Sequence, residues 1–153
     1  MERTLVLLKP DALQRAIGME LLARFERRGL RFVGLKLVQI EESLARRHYA
    51  EHEGKFFFDG LVRHLTSGPV VAVVLEGPEA IQVVRTLVGA TRPHEAAAGT
   101  IRGDYALAGL RNLIHASDGP DTAKAEIALH FDSHQLVDYA RGLDAWIVED
   151  SGE

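Results

Sequence analysis

Val70-Val71-Ala72-Val73-Val74-Leu75 is the stretch that decides the fold. An unbroken apolar run rich in β-branched residues, bounded by Ser67-Gly68-Pro69 and Gly77-Pro78, reads as a central strand. Outward from it, Arg3 to Leu8 is a second nearly continuous apolar run and is expected to be a buried strand. It ends at Lys9-Pro10-Asp11, where proline turns the chain and Asp11 sits near a helix N-terminus. Gly18 separates that first helix from one over Met19 to Arg28, whose apolar face is Leu21, Leu22 and Phe25 and whose stop is Gly29. Leu30 to Ile40 alternates as a further strand. Glu41-Glu42-Ser43 predicts a helix start with Ser43 as cap, the helix running from Leu44 to Glu53. Phe56-Phe57-Phe58 opens the next helix, to about Thr66. Three adjacent phenylalanines cannot share one core, so one is expected to line a cleft or make an oligomer contact. A helix from Glu79 to Val88 bears Arg85 on its polar side, and Gly89 to Gly103 reads as a long loop, functional by default.

The last strand is expected at Leu113 and Ile114, delivering His115 into a small-residue turn. Asn112, the only asparagine, precedes it, and Ser117-Asp118 can open a helix. The helix from Thr122 to about Phe131 carries Glu126. From Asp132 the chain is mixed and acidic. Trp146-Ile147-Val148 is expected to clip onto a neighbouring surface, and Glu149 to Glu153 to fray. The outline β-α-β-α-β-α-loop-β-α fits an α+β, ferredoxin-like split βαβ sandwich with a four-stranded antiparallel sheet covered on one face by helices. A parallel doubly wound sheet is the alternative, because periodicity does not give strand order.

Composition narrows the chemistry. At 153 residues, 46% hydrophobic and 26% charged, the chain suits one globular domain. It has no cysteine, which excludes thiolate nucleophiles and thiolate zinc sites. The net charge of −4 argues against general nucleic-acid binding, and no specific nucleic acid is expected as partner. No apolar run is long enough for a membrane span, and the N-terminus lacks signal-peptide architecture, so a cytoplasmic location is expected. Walker A, Gly-x-Gly-x-x-Gly, HExxH and Gly-x-Ser-x-Gly motifs are all missing. His48 and His52, four residues apart, suggest a metal chelate, but no third ligand is evident and no protein-held metal is expected. Lys9, Arg85, Thr91 and Arg102 are scattered phosphate-compatible groups. Gathered near His115, whose neutral imidazole suits a nucleophile, they would serve phosphoryl transfer.

The segments Lys9-Pro10-Asp11, His48-Tyr49, Phe57 to Val62, Ser67 to Val70, Gly99-Thr100-Ile101-Arg102-Gly103-Asp104 and Asn112 to Asp118 resemble, in order, those of nucleoside diphosphate kinases. The likeness spans about residues 2 to 131. It implies a kinase domain over 1–131, with a C-terminal extension over 132–153 packed on the domain or on a neighbouring subunit. It also implies a ping-pong reaction. A nucleoside triphosphate phosphorylates His115 and a nucleoside diphosphate collects the group. By the same resemblance Glu126 holds the histidine ring with Ser117 beside it, and Tyr49 and Lys9 lie near the transferred group. Arg85, Thr91 and Arg102 clamp the polyphosphate, with His52 an extra donor. Phe57 stacks on the base, Lys9 and Asn112 contact the ribose, and Mg²⁺ rides on the phosphates.

Three positions depart from the family pattern. Phe56 stands where proline is usual, Ala98 replaces a proline before Gly99, and Ala116 replaces the glycine after the histidine. The C-terminal segment resembles archaeal, especially haloarchaeal, members, and a homo-oligomer is implied, hexameric in preference to tetrameric or dimeric. Two rivals remain at this point: a ferredoxin-like module that holds nucleotides without turnover, and a metal- or nucleic-acid-binding protein using His48/His52 or the phenylalanine cluster.

Overall fold

A computed structural model describes residues 1–149. Its strands are β1 (Glu2–Leu8), β2 (Arg31–Val38), β3 (Val70–Gly77) and β4 (Ile114–Ala116). They form one sheet in the order β2-β3-β1-β4 with every neighbouring pair antiparallel. This is the expected α+β, ferredoxin-like arrangement, and the doubly wound alternative is set aside. β1 and β2 are joined through helices and leave between them the slot that β3 fills.

The helices are α1 (Pro10–Gln14), α2 (Gly18–Arg27), α3 (Glu42–His48), α4 (Phe58–Thr66), α5 (Ala80–Val88), α6 (Ile101–Tyr105), α7 (Pro120–His130) and α8 (Asp144–Ile147). They cover both faces of the sheet rather than one. Val6, Leu8, Val71, Val73 and Leu75 pack with Leu21, Phe25 and Val84 of α2 and α5. Leu5, Leu7, Val70, Ala72 and Val74 pack with Ala45, Val62, Leu65 and Phe131 on the opposite face. Alternate residues of a strand point to opposite faces, so an unbroken apolar run requires a core on each side.

Several boundaries differ from the sequence expectation. α3 starts from Glu41 without a side-chain cap, so Ser43 is not its cap, and it stops at His48 before a 3₁₀ turn, Ala50–His52. The phenylalanine helix begins at Phe58, not Phe56. The Gly89–Gly103 segment is ordered by a 3₁₀ turn at Pro93–Glu95 and by the start of α6. Gly103 packs so tightly under Ala97 that a β-carbon there would lie 1.9 Å from the Ala97 carbonyl oxygen. Ser117 and Asp118 do not open α7, which starts at Pro120.

After α7 the chain returns along β2. Val137 donates its backbone N–H to the Val33 carbonyl at 2.8 Å, and Arg141 donates to the carbonyls of Leu30 and Gly29 at 3.1 and 2.8 Å. Ile147 rests against Gly29, whereas Trp146 is 87% exposed. The fraying expected for the terminal residues falls, beyond Glu149, outside the described residues.

Candidate active site

Sheet register places the histidine. His115 pairs with Leu7 across β4 and β1, and directly opposed residues share a face. Its side chain therefore points to the α3/α4/α7 side, while Ile114 and Ala116 enter the other core. Before it, Leu113 holds a left-handed φ of 75°. That conformation is uncommon for leucine and is fixed by two contacts. Lys9 donates its backbone N–H to the Leu113 carbonyl at 2.8 Å, and the Leu113 N–H donates to the Asp11 carboxylate at 3.0 Å. The other Asp11 oxygen bonds His64 Nε2 at 2.9 Å. Burial works against the Asp11 charge, but His64, Lys9 and the Leu113 N–H outweigh it and hold the carboxyl below its ordinary pKa.

His115 Nε2 lies 3.0 and 2.9 Å from the two oxygens of Glu126. A carboxylate only accepts, so the ring proton sits on Nε2 and Nδ1 keeps its lone pair. Ser117, fully buried, donates its hydroxyl to the same carboxylate at 2.6 Å and accepts the Leu5 N–H at 3.3 Å. The His115 side chain is 22% exposed. Burial, then the Lys9 cation, pushes its pKa down to about 3. The ring is neutral at pH 7.

A cavity of about 470 Å³ opens above it. Lys9, Tyr49, His52, Phe57, Arg85, Thr91, Arg102, Asn112, His115 and Glu126 all line its wall. Of the residues singled out from sequence, Ser117 alone stands behind the wall. Arg102 is buried and donates to the carbonyls of Asn112, Gly89 and Ile114 at 3.2, 3.2 and 2.5 Å. Burial and the Arg85 charge lower its pKa to about 10. Asn112 Nδ2 donates to the Thr91 carbonyl at 3.0 Å, which leaves Asn112 Oδ1 buried without a partner among the described residues. Lys9 donates to the Leu110 carbonyl at 3.1 Å, and burial, partly offset by Asp11, lowers its pKa to about 8. Burial, then the Glu126 charge, raises the Tyr49 phenol. Arg85 is exposed and pairs with Asp118 at 2.7 Å.

The three phenylalanines divide as their spacing demands. Phe58 is core, Phe57 lines the cavity with Leu61 and Leu110, and Phe56 is 98% exposed. His52 packs its ring on Phe57 at 5.3 Å between centroids.

His48 and His52 do not share a helix face, because α3 ends at His48 and His52 lies in the following 3₁₀ turn. The His48 side chain is buried, and it lies on the cavity wall beside His115. It turns inward, with its ring 4.4 Å from that of His115 and its Nδ1 3.0 Å from Nε2 of His130. His130, His64, Leu61 and Leu110 were not singled out from sequence, and Asp11 was read only as a residue near a helix N-terminus. The α7 spacing of Glu126 and His130, one turn apart, was the available signal for His130.

The carboxylates of this cavity are largely engaged. Glu126 holds His115 and Ser117, Asp118 holds Arg85, and Glu51 lies 3.4 Å from His52. What the wall presents is cationic and donor groups, suited to an anionic ligand that carries its own counter-ion.

The family model for nucleoside diphosphate kinase matches residues 2–136. A nucleoside diphosphate kinase of Roseiflexus castenholzii is 58% identical over 97% of this chain and 100% of its own length. One of Chloroflexus aggregans is 57% identical over 97% and 100%. The solved structure of a halophilic nucleoside diphosphate kinase from Halobacterium salinarum, in complex with CDP, superposes with a TM-score of 0.95 at 52% identity, covering 97% of this chain and 99% of that one.

Proposed function

The chain belongs to the nucleoside diphosphate kinase family, and from that premise we propose which of its residues carry the transfer of a γ-phosphoryl group from a nucleoside triphosphate to a nucleoside diphosphate. The reaction itself is the family's ping-pong cycle through a phosphohistidine. The observation that carries our assignment is the neutral His115 ring, pinned through Nε2 with Nδ1 left free toward the cavity.

In the first half-reaction Nδ1 attacks the γ-phosphorus in line. The N–P bond forms as the bond to the bridging oxygen breaks, and the nucleoside diphosphate leaves with the electron pair. Negative charge spreads over the transferred group. Lys9, Tyr49 and Arg102 are our candidates to stabilise it there, and Arg85, Thr91 and His52 to hold the remaining phosphates. Positive charge develops on the phosphorylated ring, where Glu126 offsets it through the Nε2 proton. Ser117 keeps that carboxylate aimed. The second half-reaction reverses the steps with a diphosphate as acceptor.

Phe57, with Leu61 and Leu110, offers an apolar slot in which any base can stack. The unpartnered Asn112 Oδ1 and the Lys9 ammonium suit ribose hydroxyls. CDP in the haloarchaeal relative supports a nucleotide in this cavity. Mg²⁺ fits the site as a passenger on the phosphates, since it needs few protein ligands. Bound there it would neutralise phosphate charge. We assign residues 1–131 to the catalytic domain and 132–153 to an extension, and we read the assembly as a hexamer acting in the cytoplasm. Among the described residues, no helix is long and apolar enough to cross a membrane.

The test is to mix the protein with γ-labelled ATP and Mg²⁺, look for acid-labile, base-stable label, then chase with GDP. Label that forms, moves to GTP and is absent in His115→Ala is the expected result. Nucleotide binding without labelled protein would refute the assignment of His115.

A further inference from the structure

Behind the nucleophile, where the phosphoryl-transfer assignment needs only Glu126 and Ser117, lies a denser group of donors. One nitrogen each of His48 and His115 and one oxygen of Glu126 lie within 4.8 Å of one another. His48 Nδ1 and His115 Nε2 approach the same atom, Glu126 Oε2, at 3.8 and 2.9 Å. His130 Nε2 stands 3.0 Å beyond His48 Nδ1. The His48 side chain is wholly buried, and its Nε2 has no hydrogen-bond partner among the described residues. Tetrahedral coordination at about 2.0–2.2 Å sets donors about 3.4 Å apart, so small ring rotations would close His48, His115 and Glu126 around one ion.

We propose that His48, His115 and Glu126, with His130 beside His48, form a binding site for a divalent transition-metal ion of the zinc class, and that its occupation switches the nucleophile off. The reading of His115 as the phosphorylated residue underlies the second half of that statement only.

Donor type selects the ion. Two imidazoles and one carboxylate, with a fourth position open to solvent, suit Zn²⁺, Co²⁺ or Ni²⁺, whereas Mg²⁺ prefers oxygen ligands. The imidazoles are available at neutral pH, because burial lowers the pKa of His48, His115 and His130 alike. Charge selects the direction of approach. Lys9, Arg85 and Arg102 stand on the nucleotide side. A second, more open depression of about 650 Å³ reaches His48 and Glu126 from behind, with Glu51 and Asp121 on its wall and Arg47 the opposing cation.

The switch follows from the tautomer. With Glu126 as partner, Nε2 carries the ring proton and Nδ1 the lone pair. When the Nε2 lone pair binds a metal, the single proton of the neutral ring resides on Nδ1. The electron pair that would attack phosphorus is then held in an N–H bond, and the histidine is inert until the metal leaves.

The experiment uses the full-length protein stripped of metal and titrated with Zn²⁺ against a chromophoric chelator, and in parallel with Co²⁺ to read the visible bands of tetrahedral coordination. The expected result is one ion per chain, weakened at least about tenfold in each of His48→Gln and His130→Gln. Labelling by Mg²⁺ and γ-labelled ATP should fall in proportion to Zn²⁺ occupancy and recover with a zinc-selective chelator. Binding unchanged in both variants would assign the zinc to other histidines and overturn the proposal, as would full labelling at full occupancy. A wild-type protein that never takes up label, even without zinc, would instead refute the phosphohistidine assignment and leave the metal titration standing.

Discussion

Glu126 grips His115 through both carboxylate oxygens, at 2.9 and 3.0 Å from Nε2, while Ser117 donates to the same carboxylate at 2.6 Å. The pair spans the last strand and the following helix, so the orientation of the His115 ring depends on how α7 packs against the sheet. Glu126→Gln keeps the shape but can present an N–H to Nε2, favouring the tautomer with its proton on Nδ1. Single-turnover phosphorylation should slow by about 10²-fold with little change in nucleotide affinity. Ser117→Ala leaves one carboxylate oxygen short of a donor, and should destabilise the fold by about 2 kcal/mol as read by urea unfolding.

Acid should weaken the fold before it weakens the chemistry. Unfolded, the histidines take up protons below about pH 6.5. Folded, His130 and His115 do so only near pH 4 and 3, because burial opposes the charge. Between these limits the unfolded chain binds more protons, so stability falls as pH falls, by up to about 1.4 kcal/mol per pH unit for each ring. The phosphorylation rate should meanwhile show no loss centred at pH 6.5. On the alkaline side kcat/KM should decline near pH 8 as Lys9, depressed by burial, loses its charge. An acidic limb at 6.5 in stopped-flow phosphorylation would contradict the neutral-ring reading.

Asp11 has a structural task. It bridges His64 and the strained Leu113 backbone and so sets the approach of β4 to β1. Removing one member of a buried charged contact leaves its partners unpaired. Asp11→Ala should cost about 3 kcal/mol, measured as a lowered urea midpoint, and Asp11→Asn, which keeps an acceptor, should cost less. The two variants separate loss of charge from loss of the Leu113 anchor.

How much of this could be read in the chain follows from the range of each contact. β1 and β3 were plain from their apolar runs, and the same runs carried the sign, passed over, that both faces would be covered. Lys9, Arg102, Asn112 and His115 stood out through local motifs, and the cavity gathers them. The local spacing of His48 and His52 suggests a chelate and carries no sign that His48 is buried. Its burial depends on His130, 82 positions away. The Asp11–His64 contact spans 53 positions and leaves no local pattern. Ser43 has the composition of a cap, but the helix starts two residues earlier than that rule places it, from Glu41.

Adjacent phenylalanines give the sharpest contrast. Phe57 lines the cavity beside His52, and Phe56 points to solvent at 98% exposure although its ring lies only 5.3 Å from that of Phe57. A base stacked on an aromatic side chain is held by about 1–3 kcal/mol. Phe57→Ala should therefore raise KM about 10-fold to 100-fold for GDP, CDP and thymidine diphosphate alike, with kcat largely kept. The loss should be similar for all three bases, because a ring face reads no base edge. Phe56→Ala in the isolated chain should leave stability within about 0.5 kcal/mol, and the same variant should leave KM unchanged. A KM defect in Phe56→Ala equal to that of Phe57→Ala would mean that the nucleotide rests on the outer ring, and would move the base out of the slot formed with Leu61 and Leu110.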